Sequence, residues 1–227
     1  MNQILDDIID DICLTEDDFK LKQETIRGVN YKCFDSKISN LNDYFKLSLK
    51  YPDNDMLVFD NERYTFQSCY DLSSAFANAL IERFKIKKGD RIAIASRNYP
   101  EWINSFIAIT SIGAIAVPLN SWWTKDELKY GIENCGAKII IVDDKRYDLI
   151  ETFADTDNLS LISIRCNTSD DLNWDNLIKP FSKLKMPNIE INPDDDATIF
   201  YTSGSTGHPK GVCSTHRSII STLLQWM

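Results

Sequence analysis

The stretch RIAIASRNYPEWINSFIAITSIGAIAVPLN, Arg91 to Asn120, holds two short apolar runs on either side of a helix-length segment. Arg91 to Ser96 reads as a strand, Pro100 to Ile112 as a helix and Ala114 to Leu119 as a second strand. Neither strand alternates apolar with polar residues, as a half-solvated strand would, so both faces must be buried. The pattern then continues. Thr124 to Cys135 reads as a helix, Lys138 to Asp143 as a strand, Arg146 to Ala154 as a helix and Leu159 to Cys166 as a strand. Thr124 and Glu127 form a T-x-x-E capping box, and Gly136 stands where a helix C-cap belongs. Apolar strands each followed by a helix give an α/β fold, a parallel βαβ sheet covered by helices with right-handed crossovers.

Upstream, Thr65 is placed to cap a helix running to about Phe84, with Leu72, Ala75, Phe76, Ala79, Leu80 and Phe84 on its buried side and Gly89-Asp90 turning the chain into the next strand. Ile4, Leu5, Ile8, Ile9 and Ile12 recur at helical spacing against Asp6, Asp7, Asp10 and Asp11, which predicts an amphipathic N-terminal helix. Downstream, the polar run Asn167 to Asn173 and the prolines Pro180, Pro187 and Pro193 interrupt regular structure. Three segments are therefore expected: residues 1–60 as the N-terminal helix and lead-in, 61–180 as the βαβ subdomain, and 181–227 as the start of a second subdomain.

That last segment carries the densest chemistry. Ala197 to Tyr201 (ATIFY) reads as a buried strand, and it delivers the chain into TSGSTGHPKGV, Thr202 to Val212. Gly204, Gly207 and Gly211 supply backbone freedom and let main-chain N–H groups approach an anion. Thr202, Ser203, Ser205 and Thr206 add hydroxyl donors, and Lys210 adds a point charge that can reach a terminal phosphate. The spacing is not that of the Walker A loop, because Pro209 occupies the position of its second glycine and Gly211 follows the lysine.

Residue for residue, Tyr201 to Gly211 resembles the signature loop of the adenylate-forming (AMP-binding) superfamily, whose members include acyl-CoA synthetases, luciferases and the adenylation domains of peptide synthetases. Tyr64-Thr65-Phe66, Lys88 to Ile94, Gly113 to Asn120 and Glu127 to Tyr130 are similar to ordered landmarks of acyl-CoA synthetase N-terminal domains. Arg27-Gly28-Val29 and Ser121 to Thr124 resemble segments of fatty-acid-type enzymes, although the pair Trp122-Trp123 also reads as a packing anchor. The resemblance implies that Thr202, Ser203, Gly204, Ser205, Thr206, Gly207 and Lys210 hold the β- and γ-phosphates of ATP, with Lys210 the catalytic member. It implies activation of a carboxylic acid, with a tilt toward fatty acids, as acyl-AMP on ATP and Mg2+, then transfer to coenzyme A. The adenine, ribose and metal sites and a C-terminal lysine lie downstream in that family. Ser214 to Met227 reads as a helix with an uncovered apolar side, so a fragment of a longer ligase, inactive alone, is expected. Two other readings stay open: a non-catalytic nucleotide-binding or interaction module, and a piece of an amino-acid adenylation domain.

Charge and composition bound the partners. A formal net charge of -9 argues against nucleic acid or an anionic membrane surface as a bulk partner. The apolar stretch Phe106 to Leu119 is broken by Thr110, Ser111, Gly113 and Pro118 and falls short of the ~18 residues of a membrane span. The beginning of the chain lacks a basic, apolar leader, and a cytoplasmic location is expected. Cys13, Cys33, Cys69, Cys135, Cys166 and Cys213 form no C-x-x-C pair, and with only His208 and His216 beside them they suggest reduced thiols rather than a zinc site. Asp194-Asp195-Asp196 reads as a solvated strand entrance, not a metal site. His216 reads as a residue that helps the last helix start or packs behind the loop, and Arg217 as either a source of positive field for phosphates or a surface residue.

Overall fold

The structure, a computed structural model, describes residues 20–154, 159–166, 172–203 and 208–226. The expected helix around Ile4 to Ile12 and most of Asn167 to Asn173 lie outside them. In chain order the described elements are β1 (Leu21–Ile26), β2 (Val29–Phe34), α1 (Leu41–Leu47), β3 (Asp55–Phe59), β4 (Glu62–Thr65), α2 (Phe66–Phe84), β5 (Arg91–Ala95), α3 (Pro100–Ser111), β6 (Ile115–Pro118), α4 (Lys125–Cys135), β7 (Ile139–Asp143), α5 (Asp144–Ala154), β8 (Ser160–Ile164), α6 (Trp174–Ile178), β9 (Asp196–Thr202), β10 (Lys210–Thr215) and α7 (His216–Leu224). Short 3-10 turns follow α1 and α6.

Six strands form one sheet in the order β10-β9-β6-β5-β7-β8. β5 pairs in parallel with β6 on one side and β7 on the other, β8 continues in parallel from β7, and β9 lies parallel to β6. Among the described strands of this sheet only β10 runs antiparallel. Successive residues of a strand point to opposite faces, so the apolar runs feed two cores. Ile92, Ile94, Ile139, Ile141, Ile162 and Ile164 pack with α2, α3 and α6, while Ala93, Ala95, Val117, Ile140 and Val142 pack with α4 and α5. Fully buried strands on both faces are what the unbroken apolar runs required.

The local signals act as expected at several element ends. Thr65 caps α2 by accepting from the Ser68 amide, Thr124 and Glu127 form the reciprocal capping box on α4, and Gly136 ends α4 in the left-handed conformation at φ 62°. α2 ends at Phe84, as expected, and its C-cap Lys85 is itself left-handed. Two antiparallel hairpins, β1–β2 and β3–β4, were not anticipated; each turns on residues with positive φ, Arg27-Gly28 and Asp60. A third unanticipated strand, β10, takes Lys210 to Thr215, so the last helix begins at His216 instead of Ser214.

Candidate functional site

Because β9 is parallel to β6, its end at Thr202 emerges on the edge where β5, β6, β7 and β8 also finish. In open α/β sheets this C-terminal edge is where ligands bind. The chain leaves β9 there, crosses to His208 and returns along β10, with Lys210 directly opposite Thr202 in the ladder. The Thr202 hydroxyl points toward the Lys210 carbonyl at 3.5 Å. Thr202, Ser203 and Lys210 are all exposed, and the Lys210 side chain makes no ion pair among the described residues. The structure thus brings both ends of the expected loop together. Gly204, Ser205, Thr206 and Gly207 lie outside the described residues.

Helix α4 lies against this hairpin. Tyr130 stacks on His208, ring centroids 4.7 Å apart, and its hydroxyl donates to the Pro209 carbonyl at 3.3 Å. One turn on, the Tyr201 hydroxyl reaches the Gly131 carbonyl at 3.1 Å and the Asn134 side-chain oxygen at 2.8 Å. Burial pushes the Tyr201 phenol above its ordinary range, which keeps it protonated as a donor. Trp123 meets Tyr201 edge-on at 5.5 Å, so that half of the tryptophan pair is a packing anchor. Trp122 is 79% exposed and lies under the Arg97 guanidinium.

Two glycines here work by close approach. A Cβ on Gly131 would stand 2.8 Å from the Trp123 ring, and one on Gly211 would stand 2.9 Å from Ile199 Cγ2. Gly211 therefore belongs to the strand and makes room for Ile199 and Tyr201; it is not among the positive-φ positions.

His216 and Arg217 are placed away from the loop. Six-residue β10 separates them from it, about 20 Å at the usual rise per residue, and they sit at the opposite edge of the sheet. His216 is fully buried, its Nδ1 accepting from the Leu41 amide at 3.1 Å, and burial lowers its pKa to about 4. Arg217 is neither a phosphate contact nor a free surface charge: it pairs with Asp194 at 2.7 Å and with Glu24. Asp195 binds Lys88 at 2.6 Å, and Asp196 lies 3.8 Å from Arg27. The triple-Asp entrance is thus an ion-pair cluster. No group of three metal-capable side chains converges among the described residues.

Comparison with known proteins identifies the family. The family model described as AMP-binding enzyme matches residues 46–227. A 2-succinylbenzoate–CoA ligase of Bacillus velezensis is 33% identical over 168 residues, 72% of this chain and 31% of that protein. The long-chain-fatty-acid–CoA ligase FadD13 of Mycobacterium tuberculosis is 30% identical over 167 residues, 72% of this chain and 32% of its own. The crystal structure of the anthranilate CoA ligase AuaEII with anthranoyl-AMP superposes with a TM-score of 0.73 at 25% identity, covering 81% of this chain and 36% of that one. The chain spans about a third of the length of the curated relatives it matches. With Thr202 and Lys210 paired at the sheet edge and a family model covering most of its length, the chain belongs to the AMP-binding enzymes, the adenylate-forming superfamily.

Proposed function

We propose that this chain is the N-terminal part of an ATP-dependent acid–thiol ligase that converts a carboxylic acid to acyl-AMP and passes the acyl group to coenzyme A. The observation that carries the reading is the hairpin end itself: Thr202 and Lys210 paired at the C-terminal edge, with an exposed lysine and a hydroxyl- and glycine-rich connection between them. In this reading Thr202, Ser203, Gly204, Ser205, Thr206, Gly207 and Lys210 bind the β- and γ-phosphates of ATP, and Lys210 is the catalytic residue. The substrate carboxylate is already a nucleophile, so attack on the α-phosphorus needs no general base. The residues of this chain contribute positioning and charge: the ammonium of Lys210 balances negative charge on the departing pyrophosphate, and main-chain N–H groups and hydroxyls orient it. The thiol of coenzyme A then displaces AMP from the acyl-adenylate to give the thioester.

The donor set fits a polyphosphate. Among the described residues no three His, Cys, Asp or Glu side chains converge as a metal site. The relatives act on acids of different kinds by their names, succinylbenzoate, long-chain fatty acids and anthranilate, so the fatty-acid reading is a proposal that rests on the resemblance around Arg27 to Val29 and Ser121 to Thr124. The division at about residues 60 and 180, with the second subdomain opening at 181, and a cytoplasmic setting belong to the same proposal. No helix among the described residues is long and apolar enough to cross a membrane.

Acid-dependent exchange of labelled pyrophosphate into ATP tests it, measured on the whole protein with fatty, aryl and amino acids, followed by thioester formation with coenzyme A. Exchange and thioester with fatty acids support the reading. Exchange with amino acids and no transfer to coenzyme A identifies an amino-acid adenylation domain. Absence of exchange with every acid points to a non-catalytic module.

A further inference from the structure

Lys210 is the first residue of an edge strand, so the ladder to β9 holds its backbone from one side only. The two residues before it are held from another direction by one side chain. Tyr130 stacks its ring on His208 at an interplanar angle of 24° and donates its hydroxyl to the carbonyl of Pro209. Four residues on along the same helix, Asn134 meets the hydroxyl of Tyr201, which lies on the other strand of the hairpin. Residues i and i+4 share one helical face, so both strands rest on a single platform. That platform is stiff: α4 has a capping box at its start, a left-handed glycine at its end, and Leu128 and Ile132 buried beneath it. Tyr130 belongs to neither large apolar cluster, and its partners are in the loop exit.

We propose that Tyr130 is a positioning residue for Lys210, fixing His208-Pro209 so that the lysine ammonium is presented to the terminal phosphates of a nucleoside triphosphate. This rests on the polyphosphate reading of the loop. The ring stack sets where the chain re-enters β10, and the hydroxyl sets the orientation of the Pro209–Lys210 peptide through the carbonyl that it holds. A side chain whose contacts are spent on the loop should change ligand affinity more than global stability.

The test uses this chain with Tyr130→Phe, which keeps the ring and loses the hydroxyl, and Tyr130→Leu, which loses both while remaining a good helix former. Calorimetric titration with MgATP and with inorganic tripolyphosphate is paired with thermal unfolding and with amide exchange at Lys210 to Val212. The expected result is affinity lowered about tenfold for Tyr130→Leu and about two- to threefold for Tyr130→Phe, in keeping with a ring contact plus one weak hydrogen bond. Unfolding of the two variants should match that of the unaltered chain, and exchange should quicken at Lys210 to Val212 in the Leu variant alone. Equal affinity and equal exchange in the Leu variant overturn the proposal while leaving the polyphosphate reading intact. If the unaltered chain binds neither probe, the polyphosphate reading falls and the positioning role falls with it.

Discussion

Asp143 and Arg146 form an ion pair of 3.0 Å that is almost entirely shut away from water, at 1% and 6% side-chain exposure. The Asp143 carboxylate also accepts from the Arg97 amide at 2.9 Å, and the Arg146 Nε donates to the Ser121 carbonyl at 2.8 Å. One buried pair thus ties together the chain leaving β5, β6 and β7 at the edge that carries the loop. Removing one partner leaves the other charge buried, which typically costs about 3–5 kcal/mol. Asp143→Ala should lose stability of that order in urea unfolding; a loss under about 1 kcal/mol would mean water reaches this site.

His216 makes stability depend on pH. Its Nδ1 accepts from the Leu41 amide, so the proton of the neutral ring sits on Nε2, and protonating Nδ1 would set two N–H groups against each other. Asp195 and Lys88 are the charged groups that act on it, with opposite effects, and burial dominates. The folded-state pKa of about 4 lies below the ordinary value of 6.5, so the unfolded chain binds more protons between them. Stability from the neutral ring is therefore complete above pH 6.5 and is lost as pH falls toward 4. From pH 7 to pH 5 the loss should be about 2 kcal/mol. Unfolding curves at the two pH values check it against His216→Gln, in which this part of the pH dependence should vanish.

Gly131 lies in a helix interior, where alanine ordinarily stabilises by about 0.5–1 kcal/mol. Here a Cβ would stand 2.8 Å from Trp123 and 3.2 Å from Leu119. Overpacking of this kind costs about 1–3 kcal/mol, so the clash outweighs the propensity gain and Gly131→Ala should destabilise. It should also shift the Trp123 fluorescence, since that ring packs on Tyr201. A stabilised variant with unchanged emission would show that the ring moves freely.

Phe200 and Val212 are register partners on the β9–β10 hairpin and are 46% and 48% exposed. Val212 is on the edge strand and Phe200 on the strand beside it, and an exposed apolar pair at a sheet edge favours self-association. Replacing both by Thr should reduce binding of a hydrophobic dye and shift sedimentation toward monomer. Unchanged association would locate the sticky surface elsewhere.

The parts of the fold that could be read in the sequence are those fixed by local pattern. β5, β7 and β8 are isoleucine- and alanine-rich runs whose limits come within two residues of the expected ones, and Thr65, Thr124, Glu127 and Gly136 mark helix ends through their own hydrogen bonds and dihedrals. The missed strands carry weaker signals. β1 and β2 (LKQETI and VNYKCF) are rich in polar residues, although the Arg27-Gly28 turn between them was a usable hairpin cue. β10 (KGVCST) has a glycine and several polar residues and becomes a strand because β9 offers it a partner. The glycine- and hydroxyl-rich make-up of the loop was legible from residue types alone. Its brace was not, because Tyr130 is 79 residues from Pro209 and reads only as one polar–aromatic position on a helix. Nor could the separation of Arg217 from the loop be seen before β10 was known to intervene.

The proposed role of the hairpin end from Thr202 to Lys210 is to bind a polyphosphate. The most direct measurement is a titration of the isotope-labelled chain with MgATP and with inorganic tripolyphosphate, following backbone amides. Saturable shifts centred on Ser203, Lys210 and Gly211 and shared by both ligands are expected, with an affinity at least about tenfold weaker in Lys210→Ala, equivalent to about 1.4 kcal/mol. Shifts centred elsewhere, or binding that Lys210→Ala leaves unchanged, would contradict it.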